Sequence, residues 1–118
     1  MKKVEEFGDM VGLTIFELHI NDDKDEVTFS TDGGKFKLYH RQDCCENVWL
    51  EDVTGDPEDL LGVPLLMAEE SSSSDDDEDG SRTWTFYKLA TAKGYVTLRW
   101  CGESNGYYSE SVDFAELQ

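Results

Sequence analysis

Basic residues are scarce in this sequence. Lys and Arg number 10 in 118 residues against 27 Asp and Glu, a formal net charge of −17. A broad basic surface for nucleic-acid phosphates is therefore excluded, and direct nucleic-acid binding is not expected. Long apolar runs are also missing. None approaches the roughly 20 residues of a membrane-spanning helix, so no membrane partner is expected. The opening Met1-Lys2-Lys3-Val4-Glu5-Glu6 lacks an apolar stretch, and no secretory signal is expected. Cysteine is sparse and odd in number, with Cys44, Cys45 and Cys101. A secreted disulfide scaffold carries an even, spaced set, so reduced thiols in the cytoplasm are the expectation. Cys44 and Cys45 are adjacent, and on a strand adjacent side chains face opposite ways. They are therefore not expected to pair.

What is present suits one compact domain over residues 1–118. Hydrophobic residues make up 38% and aromatics 12%, too apolar for a disordered acidic chain. Residues 2–11 suggest a short helix, with Val4, Phe7 and Met10 in helical spacing and Gly8 and Gly12 against it. Strand patterns follow. Phe16, Leu18 and Ile20 alternate with polar residues, as do Val27 and Phe29, and then Phe36, Leu38 and His40. Asn21–Lys24 and Asp32-Gly33-Gly34 are turn segments. A fourth strand is expected over 45–52, with Val48 and Leu50 inward. Asp56 before Pro57 predicts a capped helical turn near 56–61. Leu65–Ala68, Thr83–Leu89, Tyr95–Cys101 and Tyr107–Phe114 read as further strands. Lys93-Gly94 and Ser104-Asn105-Gly106 read as hairpin turns. Residues 70–81, rich in Ser and Asp, read as a flexible acidic loop. The fold expected is α+β and mostly antiparallel β: a strongly bent sheet or a small sandwich, with a short N-terminal helix and one helical turn.

The acidity is not confined to that loop. Residues 69–79 hold seven acids, and the remaining 20 still face 10 bases. Such a surface attracts basic proteins with salt-sensitive kinetics. Asp22, Asp23, Asp25, Glu26, Glu51, Asp52, Asp56, Glu58 and Asp59 are the candidate contact residues, supplemented by Asp75, Asp76 and Asp77. They could imitate nucleic-acid phosphates or simply keep the protein soluble.

His40-Arg41-Gln42-Asp43-Cys44-Cys45-Glu46 is the densest polar segment. It could activate a thiol, or hold zinc together with Cys101, but it lacks the Cys-x-x-Cys spacing of a zinc knuckle. Asp52, Asp56, Glu58 and Asp59 suggest calcium without the twelve-residue loop pattern. No phosphate-cradling loop or nucleophile elbow is present. No cofactor, metal or catalytic residue is therefore assigned. Trp100, Tyr107 and Tyr108 beside polar groups suit a ligand pocket or a hairpin with cross-strand aromatic pairs.

The run Tyr39-His40-x-x-Asp43-Cys44-Cys45-Glu46, then Glu51-Asp52-x-x-Gly55-Asp56-x-x-Asp59-Leu60-x-Gly62-x-Pro64, resembles a family of small bacteriophage-encoded proteins grouped as a domain of unknown function. Thr83–Lys88 and Ser104-Asn105-Gly106-Tyr107-Tyr108-Ser109-Glu110 continue the resemblance, which spans 13–114. Arg41 stands where the family pattern has an acid. The resemblance implies a phage accessory protein acting in the bacterial cytoplasm. The function expected is non-enzymatic: inhibition by occupying a basic surface of a host nucleic-acid-binding or defence protein. The alternative is a nucleotide-signal binder with a pocket of His40, Arg41, Asp43, Trp100, Asn105 and Tyr107. Oligomeric state is left open by the sequence.

Overall fold

A computed structural model describes residues 3–77, 80–106 and 108–117. Eight strands run through it: β1 (Ile15–Ile20), β2 (Glu26–Thr31), β3 (Gly34–Tyr39), β4 (Asn47–Thr54), β5 (Met67–Asp77), β6 (Gly80–Thr91), β7 (Gly94–Ser104) and β8 (Asp113–Leu117). They form two four-stranded antiparallel sheets, ordered β1-β2-β3-β8 and β4-β7-β6-β5. The fold is a small sandwich, not a single bent sheet. Among the described residues there is no α-helix, and none could cross a membrane as a helix.

The expected N-terminal helix is one 3-10 turn, Phe7–Met10. The Asp9 carboxylate accepts the Glu5 and Glu6 N–H groups at 3.0 Å, and Gly12 at φ 94° turns the chain away. Tertiary contact decides the rest. Phe7 lies between the sheets, edge-on to Tyr87 at 4.7 Å and to Phe114 at 5.7 Å. Around it Phe29, Phe36, Leu38, Leu89, Leu98 and Trp100 are sealed from solvent. The second 3-10 turn, Pro57–Leu60, forms as its sequence predicts. The Asp56 side chain accepts the Glu58 N–H at 3.0 Å, and Leu60 is buried.

Four sequence expectations are corrected. Phe16 does not face inward: the β1–β2 register shifts between Ile15 and Glu17, and this bulge leaves Phe16 60% exposed. Within 70–81, residues 70–77 and 80–81 are strand, not loop, and Glu78 and Asp79 lie outside the described residues. β5 pairs with β6 from Met67↔Ala90 to Asp77↔Gly80. That register puts Glu69 opposite Lys88 and Asp75 opposite Arg82, so two acids of β5 stand across the ladder from basic residues of β6. Ser104-Asn105-Gly106 is not a hairpin turn. There the chain leaves β7 and crosses to the other sheet, where the last strand is Asp113–Leu117, not 107–114. The strand expected at 65–68 begins at Met67 and belongs to β5, while Leu65 is buried and donates its N–H to the Leu13 carbonyl at 2.8 Å.

The bulge gives a paired test. Phe29→Ala should cost about 3–5 kcal/mol in urea denaturation, whereas Phe16→Ala should stay within about 0.5 kcal/mol of wild type. Equal losses would show that Phe16 is packed and the bulge misplaced.

Candidate functional site

Segment 40–46 leaves β3 and folds around one carboxylate. Glu46 is buried, and its side chain is fully sealed. Its oxygens accept the Cys44 N–H at 2.8 Å, the Asp43 N–H at 3.1 Å, the Gln42 amide at 3.1 Å and the His40 Nε2–H at 3.0 Å. Burial alone pushes its pKa up. The hydrogen bonds from Cys44, His40 and Asp43 outweigh that and hold it at about 2, against an ordinary 4.5. The other ring nitrogen of His40 donates to the Ser111 carbonyl at 2.7 Å. Both ring nitrogens therefore face acceptor oxygens. Neither nitrogen is turned toward a cysteine.

Cys44 and Cys45 are joined to each other by a disulfide, contrary to the sequence expectation. Both residues lie in a bend ahead of β4, not on a strand, so their side chains are not held on opposite faces. Cys101 is a buried free thiol on β7 and takes no part. Burial pushes its pKa up. Among the described residues no three His, Cys, Asp or Glu side chains are grouped to hold a metal.

Segment 104–111 repeats the device. Glu110 is buried, and its carboxylate accepts the hydroxyls of Ser81, Ser104 and Thr83, the last at 2.8 Å. Burial raises its pKa, but the three hydroxyls bring it below the ordinary value. Gly102 makes room for this. A Cβ there would sit 2.5 Å from the Glu110 carbonyl oxygen and 2.8 Å from its Cβ. The His40–Ser111 bond, and the Asp113 carboxylate accepting the Arg41 N–H at 3.1 Å, join the two segments into one polar clasp.

The candidate contact acids form two groups. The β1–β2 turn carries exposed Asp22, Asp23 and Asp25, and Lys24 in that turn accepts the Leu50 N–H of β4 at 2.6 Å. That bond sits beside a β4 register shift between Leu50 and Asp52, so the turn acids lie next to exposed Glu51 and Asp52. Asp56 and Glu58 continue beyond β4, exposed, with Asp59 half-buried. Glu26 is half-buried and paired with Lys37 at 3.3 Å. Asp75 belongs to β5 at the opposite edge of the sheet, and Asp76 and Asp77 follow it in the same strand.

Between those edges lies a patch that the sequence reading did not single out. Trp49 and Trp84 flank Cys101 across the ladder. Arg82 and Arg99 stand 5.9 and 5.6 Å from the Trp84 ring centre. Arg99 also bonds Glu51 at 2.5 Å, the contact that chiefly raises its pKa, and Arg82 pairs with Glu103. Beside Trp84 a cavity of about 510 Å³ opens, lined by Asp75, Gly80, Ser81, Arg82, Trp84, Glu103 and Ser104. The alternation of Arg82, Trp84 and Phe86 on one strand face was the available signal.

A family model described as a domain of unknown function, DUF7448, matches residues 8–114. The chain belongs to the DUF7448 family. No curated protein and no solved structure matches it.

In this DUF7448 protein the alternative pocket residues are divided by burial. Trp100 lies in the core, its indole N–H without a partner among the described residues. His40 is held in the clasp. Arg41, Asp43 and Asn105 are exposed, and Tyr107 lies outside the described residues.

The clasp predicts a pH dependence. The folded pKa of Glu46 lies below its ordinary value, so its stabilisation is present above pH 4.5 and is lost as pH falls toward 2. Glu46→Gln should flatten the fall of Tm across that window, and parallel curves for both proteins would refute the assignment. Gly102→Ala should cost about 2 kcal/mol by displacing Glu110, read by chemical denaturation.

Proposed function

We propose that this DUF7448 protein acts by binding, presenting a carboxylate-lined surface to a basic partner protein. One observation carries the reading. The Lys24–Leu50 backbone bond draws Asp22, Asp23 and Asp25 against Glu51 and Asp52, joining acids from distant parts of the sequence into one exposed strip. The strip continues past β4 to Asp56 and Glu58. The acids of β5 lie on the other edge of the same sheet, roughly 14 Å away at ordinary strand spacing. Two separated rows of carboxylates suit a partner that normally grips nucleic-acid phosphates.

In its fullest form the protein is a phage accessory factor in the bacterial cytoplasm. It inhibits a host nucleic-acid-binding or defence protein by standing in for nucleic acid. The resemblance of its motifs to phage-encoded proteins and the net charge of −17 support this reading.

Asp22, Asp23 and Asp25 are exposed, so neutralising them together spares the core. Wild-type protein should retain a nucleic-acid-binding protein from bacterial lysate at low salt and release it at high salt. The Asp22→Asn, Asp23→Asn, Asp25→Asn variant should retain much less of it, as mass spectrometry of the eluates would show. Equal retention by both proteins would sink the proposal.

A further inference from the structure

The edge of the second sheet at β5 is the longest open strand in the fold. The other edges are blunted. β1 carries a bulge and is bridged at Thr14–Pro64 and Ile15–Leu61. β4 also carries a bulge, and Lys24 caps its Leu50 N–H. β8 has only 5 residues. β5 has 11 residues in unbroken register with β6. The first 3-10 turn covers its start, where Gly8 lies against the Ala68 carbonyl. Beyond Glu70, among the described residues, no backbone group outside β6 bonds to it, and Ser71 to Asp75 are exposed. Such an edge offers a row of N–H and C=O groups to an incoming strand.

Charge decides which strand can take the place. A second copy pairing antiparallel about Ser72 and Ser73 would set Glu70 opposite Asp75. A one-residue slip would set Glu69 opposite Asp75, and parallel in-register pairing would set each acid against itself. Like charges directly opposite one another destabilise a ladder, so the edge is protected against its own kind and suited to cations.

We propose that β5 accepts an extended Lys- or Arg-bearing segment of a partner protein as a fifth strand of the β4-β7-β6-β5 sheet. The backbone ladder supplies affinity and the acids select the sequence. The cavity beside Asp75 gives a basic side chain somewhere to go. Its lining includes the Asp75 carboxylate, which attracts a cation, while Glu103 and the Trp84 ring already meet Arg82. The proposal rests on the basic-partner reading for the charge of the occupant, and places it at a different edge from the Asp22–Asp25 strip.

The test uses the full isotope-labelled chain and a short peptide alternating Lys and Val, followed by amide NMR at low salt. A second peptide, N-methylated at alternate amides, keeps every charge and loses ladder donors. The first peptide should shift the amides of Ser71–Asp75, and the methylated one should bind about tenfold more weakly. Equal binding of both, with shifts at Asp22–Asp25 instead, would overturn the edge assignment and leave the basic-partner reading standing. No binding of either peptide would overturn both. Dimerisation without peptide that shifts Ser71–Asp75 would replace the partner segment with a second copy and overturn the proposal.

Discussion

A carboxylate taken out of water must be met by donors, and two such carboxylates organise this protein. Glu46 gathers the His40 ring, the Gln42 amide and two backbone N–H groups. Glu110 gathers hydroxyls from two neighbouring strands. Each fixes a segment that has no regular backbone pairing of its own. Without them the β3–β4 connection and the crossing from β7 to β8 would lose these buried anchors. The His40–Ser111 bond then ties the two segments together, so the sandwich is closed at one end by polar contacts as well as by its core.

This accounts for the appearance of the motifs. His40, Asp43, Cys44, Cys45 and Glu46 form the densest chemistry-bearing run in the sequence, and Ser104 to Glu110 is the next most distinctive. Both resemble sites because buried polar clusters use the same residue types as catalytic ones. In the fold their hydrogen-bonding capacity is largely spent inward. Carboxylates of the β1–β2 turn, β4 and β5 are among the residues that face outward.

Alternating apolar residues made the inner faces legible: Val27, Phe29, Phe36, Leu38, Val48 and Leu50 are all buried. Asp56 before Pro57 announced its turn correctly, because capping is local chemistry. What depended on distant partners could not be read. The bulge that expels Phe16 is set by register with β2. The serine and aspartate run is extended by its register with β6, where Arg82 stands opposite Asp75. Asn105-Gly106 carries the same local signal whether the chain doubles back or crosses to another sheet. Adjacent cysteines can meet here because the chain bends at Cys44 and Cys45 and runs as a strand only from Asn47. For the candidate site, the acids were visible as composition, but only the Lys24–Leu50 bond groups them.

The pairing of β8 with β3 bears on the order of assembly. Strands β1, β2 and β3 are consecutive hairpin neighbours and can form early. Their sheet nevertheless stays one strand short, with Phe36 lacking the stacked Phe114 ring, until the last strand has crossed over from β7. Long-range closure of this kind carries a large loop entropy and slows folding. A ribosome-bound chain that stops before β8 therefore presents β3 as an open edge.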